Sequence, residues 1–192
     1  MIRLILLLLL ISTSNLQAQH GGGGPDLVTV APPEATQWNF LVGQWTLDVR
    51  PTVNSLAAKI HGAPKFAGTW RAWRALDGFG VEDEMRIIDG SGNPRSFTHA
   101  IRVYDSAARK WNASSVDVYR STITVSTAEW NGREMTALSS KVVDGATQFT
   151  RGRYTDITPN SFTFVQERSA DGKSWETTLT INAKRTAATA PR

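Results

Sequence analysis

Asp83 and His99 are the side chains in this sequence best equipped for proton transfer, because a carboxylate beside an imidazole orients the ring and tunes it for general acid–base work. The pair functions only if both residues sit on neighbouring strands with the same face inward. A second set is basic: Arg74, Arg151 and Arg153, with Gln166, have the chemistry to grip an anionic or polar head group, since guanidinium forks match carboxylates. Trp70, Phe97, Phe162 and Trp175 would then wall in the apolar remainder of such a ligand. Metal chemistry finds less support. Glu82-Asp83-Glu84 alternates on a strand, so Asp83 points away from the two glutamates, and His20, His61 and His99 fall in segments of different character. No metal and no cofactor is expected, haem included.

Each of these residues also has a structural role to weigh. A single histidine on an apolar face is commonly a hydrogen-bonded core residue, and charges inside a barrel are commonly paired with one another around ordered water. The strands that carry the residues decide between the two roles.

Turn pairs punctuate the chain: Asp77-Gly78, Asp89-Gly90 with Gly92-Asn93-Pro94, Asn131-Gly132, Asp144-Gly145, Pro159-Asn160 and Asp171-Gly172, with β-branched and aromatic runs between them. The spacing predicts ten strands, near 43–50, 66–76, 79–88, 96–105, 110–119, 122–130, 133–143, 146–157, 161–169 and 174–184. Pro51 has no N–H for a ladder, so the first strand is expected to end at Arg50, with an irregular stretch to Pro64. A short helix is expected over Pro33 to Leu41, with Pro33 in its first turn. Ten hairpin-linked strands in an open sheet would leave two long edges. The expected fold is therefore all-β, an up-and-down antiparallel β-barrel of about ten strands with a short N-terminal helix. A two-sheet sandwich is the alternative.

Residues of like parity on a strand share a face. On 79–88 the apolar face is Phe79, Val81, Met85 and Ile87, and Asp83 falls on it. On 96–105 it is Phe97, Ile101 and Val103, with His99. Arg74 shares a face with Phe66, Trp70 and Ala72, Gln166 with Phe162 and Phe164, and Trp175 with Thr177, Leu179 and Ile181. The strand 146–157 is ambiguous: Phe149, Arg151, Arg153 and Ile157 oppose Gly152 and Tyr154, and two arginines enter the barrel if the first set faces inward.

Arg3, the apolar run Leu4 to Ile11 and Ala18 have the layout of a secretory signal peptide over 1–18. A glycine-rich flexible leader over 19–32, the barrel domain over 33–186 and a loose tail over 187–192 come after it. The apolar run is shorter than the roughly 20 residues a spanning helix needs, and no transmembrane segment is expected in the mature chain. The mature protein is expected to be secreted or periplasmic. The chain has no cysteine, so disulfide staples and thiolate metal sites are excluded. Lys and Arg number 21 against 17 Asp and Glu, a formal charge of +4, and they are interspersed along the chain. No basic stripe of the kind nucleic-acid binding requires is present.

Phe40-Leu41-Val42-Gly43-Gln44-Trp45, Leu76-Asp77-Gly78, and Arg102-Val103-Tyr104-Asp105 ahead of Trp111 are similar to phrases of the bacterial exported lipocalin-like proteins, a calycin-type family of unknown function, over about Pro33 to Lys184. The resemblance implies that Gly43 lets the chain turn into the barrel and that Trp45 packs across its closed end. It also implies that a basic residue ending the last strand, Lys184 or Arg185, covers the indole. With the parity reading, it points to non-catalytic binding of a small hydrophobic or amphipathic molecule inside the barrel. Two other functions stay open at this point. One is an isomerase, cyclase or lyase using Asp83 and His99; the other is a cell-envelope interaction module with a filled barrel, touching partners through Trp73 and Trp130.

Overall fold

The computed structural model describes residues 29–53 and 64–186. The expected signal peptide, the leader as far as residue 28, His20, His61 and the tail 187–192 lie outside the described residues. Ten strands succeed one another: β1 (Gly43–Pro51), β2 (Phe66–Ala75), β3 (Gly80–Ile88), β4 (Pro94–Asp105), β5 (Lys110–Asp117), β6 (Thr122–Trp130), β7 (Met135–Val143), β8 (Ala146–Thr155), β9 (Ser161–Ser169) and β10 (Glu176–Arg185). Each pairs antiparallel with the next, and β10 returns to β1, which closes the sheet into a barrel. Closure is what removes the two edges that ten strands would otherwise expose.

β1 reaches Pro51 instead of stopping at Arg50. Proline takes the last ladder place, opposite Leu179, and the next N–H, that of Thr52, donates to the Thr178 carbonyl at 2.9 Å. A terminal strand position loses nothing by lacking a donor.

The expected helix is a 3₁₀ helix, Pro33–Trp38, with Pro33 in its first turn. It plugs one end of the barrel. Trp38 and Leu41 are fully buried, and Trp38 meets Trp111 and Tyr154 edge-on with centroids 6.3 and 5.0 Å apart. Phe40 stacks on Trp130 at 6.1 Å and meets Phe162 at 5.9 Å. Edge-on and stacked pairs of this kind add about 0.5–1.5 kcal/mol each beyond the area they bury. Trp130 belongs to this packing, and is not the exposed contact residue expected of it.

Gly43 and Trp45 lock the plug to both ends of the sheet. Trp45 donates through Nε1 to the Leu41 carbonyl at 2.7 Å, and the Arg185 guanidinium lies over its ring, 4.0 Å from the centroid. Arg185, and not Lys184, thus covers the indole. The same guanidinium donates to the carbonyls of Val42 at 2.9 Å, Phe40 at 3.4 Å and Pro159 at 2.7 Å. Gly43 has a φ of 131°, and a β-carbon there would run into Arg185.

The wall is weakest between β6 and β7. Their ladder covers only Thr127–Trp130 against Met135–Leu138, whereas Thr122–Ser126 pair with β5 alone and Ser139–Val143 with β8 alone.

Gly43→Ala combines a disallowed φ with a collision against Arg185, and Arg185→Ala removes the cover of Trp45 and three charge-assisted bonds. Each is expected to lower stability by about 2–4 kcal/mol, measured as a drop in the urea midpoint with an unchanged slope. A midpoint shift under about 0.5 kcal/mol for both would show that the clamp is not what closes the barrel.

Candidate functional site

Register and burial settle which face of each strand is inward. Starting from the buried Trp45, Leu47 and Val49 of β1, the ladders carry the inward face to Trp70 and Ala72 of β2, then to Val81, Asp83, Met85 and Ile87 of β3. On β4 it falls on Ser96, Thr98, Ala100, Arg102 and Tyr104. That reverses the expectation for this strand, in which Phe97, His99, Ile101 and Val103 were inward. The reason lies outside the barrel. Arg86 lies over the Phe97 ring, 3.6 Å from its centroid, and Trp73 lies beside His99 at 5.9 Å, so the apolar-looking face of β4 packs against side chains of the outer surface.

Asp83 and His99 are therefore on opposite sides of the wall. His99, with 39% of its side chain exposed, sits between Glu82 and Glu84, with Nε2 3.5 Å from one carboxylate and Nδ1 3.9 Å from the other. Asp83 is 2% exposed and bonds inward. The acid–base pair expected from the sequence is not brought together, and among the described residues no three His, Cys, Asp or Glu are grouped to hold a metal.

Asp83 anchors the floor beneath the plug. Its carboxylate accepts from Trp70 Nε1 at 2.7 Å and forms an ion pair with Arg102, which is 7% exposed. Arg102 also lies beside the Tyr154 hydroxyl, with its guanidinium 4.6 Å from the Trp38 centroid. Burial pushes the Tyr154 phenol up to about 12, against the opposing pull of Arg102, so it stays neutral and available as a donor or acceptor. Arg102 and Tyr154 were not among the residues singled out in the sequence. The small Ala100 between Thr98 and Arg102 is the signal that this parity faces a crowded interior.

The three arginines expected to hold a ligand head have other partners. Arg74 is on the inward parity, but it donates to the Ala35 carbonyl at 2.5 Å and to Asn39, so it fastens the plug. Arg151 and Arg153 are on the outer face, because Gly152 and Tyr154 take the inward one. A β-carbon at position 152 would come within 2.8 Å of the Phe164 ring, which is why the inward place there is a glycine. The carboxylate the two arginines grip is the protein's own: Glu167 accepts from Arg151 Nε at 2.7 Å and from Arg153 Nε at 3.1 Å. Arg151 also covers Trp175, 4.2 Å from its centroid. Trp175 precedes β10, and the bulge between Thr177 and Leu179 breaks the parity that had put it on the face of Leu179 and Ile181. Phe97 and Trp175 are thus outer residues, while Trp70, Phe162 and Gln166 do face the interior.

That interior is filled at one end only. Beneath the plug, Trp38, Trp45, Trp70, Trp111, Met135, Tyr154 and Phe162 are buried. Toward the other mouth the inward residues of β4 to β8 are smaller, and most of the inward residues there are only half-buried. On β4 to β8 they include Thr98, Ser115, Ser126, Ser139 and Thr150, of which Ser139 and Thr150 are opposite each other in their ladder, while Ser115 is opposite Ala100 and Ser126 opposite Ala113. On β9, β10 and β1 to β3 they are Phe164, Leu179, Ile181, Val49, Phe66 and Met85. Gln166 lies where the two arcs meet, bonded by Thr178 at 3.3 Å. At the mouth a cleft of about 630 Å³ opens between Gln148 of β8, Arg168 of β9, and Glu176 and Thr178 of β10.

Breaking the floor pair from one side leaves a buried charge without its partner. Asp83→Asn and Arg102→Met are each expected to cost about 3–5 kcal/mol, and the double variant Asp83→Leu with Arg102→Met much less than their sum. Additive costs in urea unfolding would show that the two do not act as a pair. Outside, burial works to raise the Glu167 carboxyl, but the bonds from Arg151 and Arg153 outweigh it and hold it below the usual 4.5. A depressed carboxylate contributes stability that is full above the unfolded value and is lost as pH falls through the folded one. The stability difference between wild type and Glu167→Gln should be constant above about pH 4.5 and shrink below it; a difference independent of pH would remove the arginine clasp as its cause.

No protein-family model matches the chain, and no curated protein matches it. Among solved structures, the crystal structure of Rv2717c from M. tuberculosis is similar with a TM-score of 0.55 and 10% identity, over 82% of this chain and 99% of that one. A de novo designed fluorescence-activating β-barrel is similar at a TM-score of only 0.38 and 10% identity, over 77% of this chain and 95% of that one. At such identity the likeness to Rv2717c is one of fold: the chain is a closed ten-strand antiparallel β-barrel.

Proposed function

We propose that this is an exported, lipocalin-like binding protein that holds a small amphipathic molecule in the unplugged half of its barrel. The observation that carries the proposal is the contrast between the two ends: large buried aromatics beneath the plug, and toward the other mouth inward residues that are mostly half-buried and, on β4 to β8, small. A barrel of this size has room for one small ligand where side chains do not fill it. The Gly43 and Trp45 pair with Arg185 across the indole agrees with the lipocalin-like resemblance of the sequence. The ligand's polar groups meet Gln166, Thr178 and the hydroxyl arc, not the arginine clamp first expected.

The test is a fluorescence titration with 8-anilinonaphthalene-1-sulfonate. The wild type is expected to bind the dye saturably. Ser115→Trp, which fills the open half, is expected to weaken binding at least about tenfold while its thermal unfolding stays cooperative. Undiminished dye binding by the plugged variant would overturn the cavity reading. It would favour instead an outer contact surface, for which the aliphatic side chains Ile123 and Val125, each 71% exposed on β6, and Val142 on β7 are the candidates.

A further inference from the structure

The two arcs of the open half differ in chemistry. Going round the barrel, the inward residues of five neighbouring strands, β4 to β8, offer hydroxyls set among alanines such as Ala113 and Ala137, with Asp117, Lys141 and Gln148 on the same face, and those of the other five offer mostly aromatic and aliphatic carbon, with Gln166 and Arg168 of β9 as polar exceptions. A cavity for a simple fatty chain would be apolar all round, and one for a sugar would be polar all round with aromatic stacking. This one is divided lengthwise.

The hydroxyls are also uncommitted. Among the described residues, Ser115, Ser126, Ser139 and Thr150 donate no side-chain hydrogen bond, yet Trp38 Nε1 is the one buried side-chain polar atom without a partner. The four hydroxyls therefore reach open space inside the wall. A second observation falls on the same arc. The seam where the β6–β7 ladder stops, at Thr127 and Leu138, leaves the backbone N–H and C=O groups that Thr122–Ser126 and Ser139–Val143 turn toward each other without a cross-strand partner. Backbone groups of this kind are strong and need partners, and here they lie in the plane of the wall beside Ser126 and Ser139.

We infer that the ligand is a facial amphiphile: a rigid, fused-ring or otherwise flat molecule with hydroxyls along one face and hydrocarbon along the other. Its hydroxyl face lies on β5 to β8, with Ser115, Ser126, Ser139 and Thr150 as partners. Its hydrocarbon face lies on Met85, Phe66, Leu179 and Phe164. The inference rests on the binding reading above, and it adds the ligand class and the orientation. A binding site built to hydrogen-bond hydroxyls discriminates strongly against an analogue that lacks them, whereas an apolar wall discriminates weakly against an added group.

Isothermal titration calorimetry of the full chain with cholate, 5β-cholanate and laurate tests it, each kept below its aggregation concentration. Cholate and 5β-cholanate share ring system and carboxylate, and differ in the hydroxyls of one face. Cholate is expected to bind at least about tenfold more tightly than 5β-cholanate. Ser115→Ala combined with Thr150→Val is expected to bring the two affinities together by weakening cholate alone. Equal affinities in the wild type, or laurate binding more tightly than cholate, would overturn the two-faced ligand and leave the binding reading standing. No heat with any of the three would overturn both. A preference for cholate that survives the double variant would overturn the assignment of the hydroxyl arc.

Discussion

The first strand of this barrel must find the last, and no hairpin turn guides that meeting. Every other ladder joins strands adjacent in sequence, and all of these but β1 with β2, which are 14 residues apart, are linked by short turns that set the register. The closing ladder has only its side chains. Arg185 supplies the specificity: its guanidinium reaches the carbonyls of Phe40 and Val42, more than a hundred residues earlier, and covers Trp45 as it does so. A register slip of one residue would turn Arg185 to the outside and Trp45 away from the core. Because the plug enters β1 directly through Asn39 to Val42, closing the sheet and stoppering its end are a single event.

The plug then dictates what the floor beneath it can be. Trp38, Trp70 and Tyr154 bring indole N–H groups and a phenol hydroxyl into a buried space, and polar groups there need partners. Asp83 and Arg102 meet most of that need, Asp83 accepting from Trp70 and Arg102 placing its charge beside the Tyr154 phenol. An ion pair at this depth is a poor source of net stability, since desolvating both charges offsets their attraction. What it contributes is arrangement: the aromatic rings that meet over it are held by directional bonds, and the apolar plug has one way to sit. Among the described residues only Trp38 Nε1 goes without a partner, at the place where the Arg102 guanidinium faces the Trp38 ring.

The succession of strands was legible because turn chemistry is local, and Asp-Gly, Asn-Gly and Gly-Asn-Pro mark hairpins whatever surrounds them. Faces were legible only where the inside is apolar and the outside polar. That holds for β2 and β3, where Trp70, Val81 and Ile87 were assigned inward and are inward. It fails for β4, whose outer Phe97 is covered by Arg86 while its inner places carry Ser96, Thr98 and Arg102. It fails again at Trp175, because a bulge shifts parity by one residue and leaves no mark in the sequence. On β8 the deciding residue is Gly152: a glycine carries no hydropathy signal, and its inward position is explained by the Phe164 ring that occupies the space. The candidate site inherits these errors. Asp83, Trp70, Phe162 and Gln166 were read on the correct face, whereas His99, Phe97, Trp175 and the two β8 arginines were not.

The inversion on β4 is also the reason to look for function in the unplugged half. Small hydroxyl residues on the inner wall forgo the burial that leucine or valine would supply there, roughly 1.5–3 kcal/mol for each side chain fully buried. A barrel selected for stability alone would continue the aromatic packing from the plug to the far mouth. Here the large residues continue past Trp70 on one arc only, as far as Phe66, and on β4 to β8 they give way to hydroxyls and alanines. Ser115 and Ser126 face inward while Val116, Ile123 and Val125 of the same strands face out, the reverse of the usual pattern for a packed sheet. Where local choices run against stability along so many neighbouring strands, the interior they line is where the proposed binding function is to be sought.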